Sequence, residues 1–147
     1  MFVAFGLQAQ PNPQSKKITK KFFPDSESLL PITPALKKKK GYTNYNELVG
    51  FINELKESHP LVVSIQYIGK SQKGYNIPVV HIKTSNSSEK IKIWMQAGLH
   101  GNEPAGTEGL LYYMHSILND PTYAKLLDGV DLLILPMANI DGYLKHN

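Results

Sequence analysis

Leu48, Phe51, Ile52 and Leu55 share one face of a 3.6-residue period, and this spacing predicts a helix that buries them. Asn44, with Glu47 three residues later, has the pattern of a capping box and starts it. His59 precedes Pro60, where helical angles are disfavoured, so the helix ends there with His59 as a surface residue. Val62 to Ile68 and Ile77 to Thr84 read as two strands. The stretch Gly69-Lys70-Ser71-Gln72-Lys73-Gly74 between them has the glycines and polar residues of a hairpin connection, so the pair is predicted antiparallel. A polar loop, Ser85 to Lys90, precedes a third strand, Ile91 to Gln96.

Pro104 suits the first position of a helix, where its missing N–H costs nothing. Leu110, Leu111, Met114, Ile117 and Leu118 give that helix a buried stripe, and Asn102 or Glu103 is the expected cap. After Asn119-Asp120-Pro121, a short helical piece around Tyr123 to Leu127 leads through Gly129 into the apolar run Val130 to Pro136. That run reads as a central strand covered on both faces. Strand, helix and strand from Ile91 to Pro136 make a βαβ crossover, whose two strands are parallel neighbours or near neighbours. The expected fold class is therefore α/β, with a mixed, largely parallel central sheet flanked by helices.

A chain of 147 residues with 41% hydrophobic content supports one domain with a real core. No apolar run approaches the roughly 18 residues that cross a bilayer, so no stable membrane insertion is expected. The opening MFVAFGLQAQ (1–10) reads as the remnant of a signal peptide ending near Ala9, and export is the expectation, although a basic start is missing. The absence of cysteine fits either compartment. The net charge of +4 is uneven: eight of the sixteen lysines fall at Lys16, Lys17, Lys20, Lys21 and Lys37 to Lys40, among prolines. Residues 11–40 thus read as a solvated Lys/Pro-rich leader with no groove-reading helix, and no nucleic acid is expected as partner. The globular part is expected at 41–147.

Candidate chemistry sits in GLHGNEPAG, Gly98 to Gly106. His100 follows the carboxyl end of one parallel strand and Met137 to Tyr143 follows that of the other, the rim where open α/β sheets bind ligands. Imidazole and carboxylate suit zinc at about 2.0–2.2 Å, and a catalytic site needs three protein ligands and an open position. On spacing alone, His100 and Glu103 fit a metal pair or a polar loop that caps the helix. His115 lies roughly 16 Å along the helix and cannot join them. His81 sits within a strand, where a packed or solvent-facing role is expected, and His146 ends the chain without a packed backbone to hold it.

QAGLHGNEPAGTEGLL (Gln96 to Leu111) and PMANIDGY (Pro136 to Tyr143) together resemble the zinc metallocarboxypeptidases related to carboxypeptidases A and B. The helix ending in His59-Pro60 and the turn IGKSQKG (Ile68 to Gly74) extend the resemblance over nearly everything after the leader. It implies one Zn2+ ion, with His100 and Glu103 as its first two ligands, and makes Asn139 to Gly142 active-site scaffold. Ile140 stands where the family usually has proline, and Asp141 reads as a turn-stabilising residue rather than a catalytic acid. The family's third ligand, a histidine, its substrate-binding arginines and its glutamate base lie farther downstream. This chain has no arginine, and lysine is a poor bidentate clamp for a carboxylate.

The resemblance therefore implies the N-terminal part of a catalytic domain, with no catalytic or substrate-binding residue of its own and no activity alone. The complete protein is expected to hydrolyse C-terminal peptide bonds of peptides or proteins with a zinc-activated water. Two other readings remain open: a zinc deacylase of N-acyl amino acids, similar to aspartoacylase, and a non-catalytic binding or structural domain with a vestigial site. Strands left without later neighbours are expected to promote aggregation of this piece.

Overall fold

The computed structural model describes residues 15–22, 30–84 and 90–146. The signal-remnant reading of 1–10 lies outside them. The chain divides into two compact units, 1–30 and 31–147. In the first, α1 (Lys16–Phe22) is a short lysine-rich helix that the apolar pattern does not mark. A Ser15 hydroxyl accepts a hydrogen bond from the Ile18 N–H at its start.

The second unit begins with residues that the leader reading makes fully solvated. Thr33 is instead buried, and its carbonyl accepts from the Lys37 N–H. Lys38 Nζ reaches Glu47 Oε2 at 2.7 Å and the Tyr42 carbonyl at 2.8 Å, while Lys39 and Lys40 stay exposed. Helix α2 (Tyr45–Ser58) starts with the expected capping box: Asn44 Oδ1 accepts from the Glu47 N–H, and Glu47 Oε2 from the Asn44 N–H. Leu48, Phe51, Ile52 and Leu55 are its buried face, and His59 is its C-cap.

Strands β1 (Val63–Lys70) and β2 (Asn76–Ile82) form the expected antiparallel hairpin, with a register shift between Tyr67 and Lys70. Gly74, at φ +87°, turns the chain, and a side chain there would be strained. Strand β3 (Ile91–Gln96), helix α3 (Ala105–Asn119), the four-residue α4 (Pro121–Ala124), a 3₁₀ turn (Lys125–Asp128) and β4 (Val130–Leu135) complete the crossover. Asp120 caps α4 by accepting from the Thr122 N–H. Helix α5 (Ile140–His146) closes the unit.

The sheet order is β1-β2-β4-β3. The sheet is mixed: β3 and β4 are parallel, as the crossover requires, and β2 pairs antiparallel with β4. Val80 and Ile82 of β2 and Leu132 and Ile134 of β4 face one core with Leu48, Ile52, Leu111, Met114 and Tyr143. β4 is thus the central strand that its apolar run predicts, with Asp131 buried within it. β3 differs, because Ile91, Ile93 and Trp94 are exposed.

Candidate metal centre

The β3–β4 pairing continues beyond the strand ends into the two loops that follow them. The Ala97 N–H donates to the Leu135 carbonyl, the Ala138 N–H to the Ala97 carbonyl, and the Asn139 N–H to the Gly98 carbonyl at 2.8 Å. Gly98 has φ +63°, and a Cβ there would stand 3.0 Å from Thr107 Oγ1 and 3.1 Å from Met137 Cα. Glycine is thus required twice over, for the left-handed turn and for the close approach. A Cβ on Gly101 would overlap the Gly142 carbonyl group. The 98–103 loop therefore lies backbone to backbone on the start of α5.

Those contacts fix the two residues singled out by the motif. His100 Nδ1 stands 3.1 Å from Glu103 Oε2, and the two side chains are 66% and 67% exposed. The expected cap is not formed: α3 has Pro104 as its N-cap and no side-chain cap bond, so neither Asn102 nor Glu103 caps it. Glu103 turns back to the imidazole instead. An imidazole nitrogen and a carboxylate oxygen converging at a solvent-facing strand end are a donor pair that fits zinc. No group of three His, Asp, Glu or Cys side chains converges for a metal among the described residues, whereas a catalytic zinc needs three protein ligands.

The other candidates lie elsewhere. His81 Nε2 is buried 4.0 Å from Asp131 Oδ2, and His146 is exposed at the end of α5. His115 and His59 share a cavity with Lys37, so His59 is more than the surface residue that its place before Pro60 suggests. Asp141 is structural, as expected, but it holds a turn other than its own. Its Oδ1 accepts from Ser71 Oγ at 2.8 Å and its Oδ2 from the Lys73 N–H at 3.1 Å, which ties α5 to the β1–β2 turn. The turn 139–142 is held by Asn139, whose Oδ1 accepts from the Gly142 N–H.

Two supporting residues escape the pattern reading. Glu108 accepts from the Thr43 N–H at 2.7 Å and from Thr43 Oγ1 at 2.8 Å, binding the entry to α2 onto α3. Tyr143 donates to the same carboxylate at 3.4 Å. Burial first, then the Glu108 charge, raises the Tyr143 phenol well above its ordinary pKa, so it stays a donor. A charged side chain bordering the apolar stripe of α3 is the one sequence signal for this hub.

The sequence profile described as zinc carboxypeptidase matches residues 48–147. Carboxypeptidase 2 of Trichophyton rubrum is 34% identical over 109 residues, which cover 69% of this chain and 20% of that protein. Carboxypeptidase B2 of Rattus norvegicus is 32% identical over 108 residues, covering 69% and 25%. The chain thus spans a quarter or less of these relatives' length. Among solved structures, the carboxypeptidase A from Helicoverpa armigera superposes with a TM-score of 0.68 at 31% identity, over 75% of this chain and 29% of that one.

Proposed function

Because the chain belongs to the zinc carboxypeptidase family, we propose that it supplies His100 and Glu103 as two zinc ligands of an enzyme that hydrolyses the C-terminal peptide bonds of peptides or proteins. The observation that carries this reading is the convergence of His100 Nδ1 and Glu103 Oε2 on the rim of the sheet, on a loop clamped to the 137–142 turn. Bound at this pair, one Zn2+ ion would supply a water of lowered pKa and a Lewis acid for the scissile carbonyl. The chain's own residues hold that position. Gly98 and Gly101 let the loop seat against α5, Thr107 Oγ1 donates to the Pro136 carbonyl at the end of β4, and Asp141 anchors α5 to the hairpin. Catalytic, substrate-binding and third-ligand roles are assigned to no residue of this sequence. The apolar opening residues support an exported protein, and residues 41–147 are read as the N-terminal part of the catalytic domain.

Replacing His100 and Glu103 together by alanine in the full-length protein is expected to abolish zinc retention, measured as metal per mole of protein. The melting temperature of the metal-free protein should change little, because both side chains are exposed. Unchanged zinc content would show that the wrong ligands are named. The reaction is tested separately with peptides blocked at the amino end and with N-acyl amino acids. Cleavage of the acyl amino acids alone would replace the peptidase with a deacylase. Turnover of neither by zinc-loaded protein would leave the vestigial-site reading.

A further inference from the structure

Away from His100 and Glu103, a cavity of about 300 Å³ lies between the end of α2, the end of α3 and the segment that precedes α2. It gathers polar groups from three elements: Lys37 from the segment, Glu54 of α2 with its C-cap His59, and His115 from α3. Phe51, Leu55 and Ile32 give the same cavity an apolar wall. Burial first, then the charges of Lys37 and His59, lowers the His115 pKa below its ordinary 6.5, so the three basic groups sense one another. Among the described residues, His59 Nε2 is buried without a hydrogen-bond partner. No ion pair joins Lys37 to Glu54 among the described residues. The cavity therefore sets one buried, unpartnered ring nitrogen between solvent-facing charges of opposite sign.

We propose that this cavity binds a free α-amino acid with an apolar side chain, its carboxylate toward Lys37, His115 and His59, its ammonium toward Glu54, and its side chain on Phe51, Leu55 and Ile32. Each simpler ligand uses only part of this lining. An anion alone meets Glu54, a cation alone meets Lys37, and an uncharged apolar molecule leaves the His59 nitrogen without a partner. A zwitterion with an apolar body answers all three, and a neutral imidazole can still donate one N–H to the carboxylate. Neither His100 nor Glu103 lines the cavity, so binding here does not require zinc.

The test is an NMR titration of the protein's histidine ring protons with L-leucine, alongside L-leucinamide, which lacks the carboxylate, and N-acetyl-L-leucine, which lacks the ammonium. Saturable shifts confined to His59 and His115 are expected with L-leucine, with both analogues at least about tenfold weaker. Lys37→Gln and Glu54→Gln, both at exposed positions, should keep the fold and each weaken leucine binding about tenfold. The proposal is overturned by no saturable shift at His59 and His115, by shifts centred on other histidines, by equal binding of either analogue, or by unchanged affinity in either variant.

Discussion

Gly101 shows how one missing side chain sets the place of the proposed ligand His100. A methyl group there would overlap the Gly142 carbonyl, which is backbone and has no rotamer to yield. Gly101→Ala is therefore expected to cost about 1–3 kcal/mol, read in a denaturant melt, and to lower zinc affinity by displacing His100. A variant with wild-type stability and zinc affinity would mean that the two loops are not in contact. Individual residues are legible in the sequence where position along a strand limits what they can do. His100 and Glu103 follow the carboxyl end of β3, and their convergence needed only the loop to curl. Glu108 was illegible because its partner Thr43 lies 65 residues away and neither residue carries a periodic signal. Thr43→Val, which removes the hydroxyl donor to that carboxylate, is expected to cost about 1–2 kcal/mol in the same melt.

At the scale of elements, periodicity and capping locate helices α2 and α3 well because their stripes are long and their first residues are chemically distinctive. The predicted cap of α3 failed for a local reason: Pro104 supplies the turn, and Glu103 has a partner in His100. The short α1 and α5 carry too few apolar positions to show a period. Between elements, Asp141 is the chief tether that no pattern announces. It joins α5 to the β1–β2 turn through one hydroxyl and one backbone donor. Asp141→Ala should release the hairpin turn, at about 1–3 kcal/mol, with faster amide exchange at Lys73 as the local readout. Loss of stability without a change at Lys73 would place the damage elsewhere.

For the whole molecule, acid is expected to act through His115. Burial, then Lys37 and His59, lowers its folded pKa, whereas the unfolded chain keeps the ordinary value. The unfolded state therefore binds more protons below about pH 6.5, so this contribution is fully present above that pH and is lost as pH falls through the folded pKa. The melting temperature should drop as pH falls below about 6.5, and His115→Gln should flatten that drop. The exposed Ile91, Ile93 and Trp94 of β3 predict self-association of this chain, which Ile93→Lys should reduce in light scattering. The sheet's make-up was legible in outline, since one crossover fixes one parallel pair, whereas the exposure of β3 depends on neighbours that no local pattern reveals. The hydrogen bonds that run past the ends of β3 and β4 as far as Asn139 have a mechanical corollary. The ledge that leads to His100 is loop by shape but bonded like sheet at its base, so on the proposed zinc reading a cation held there would cost little backbone entropy.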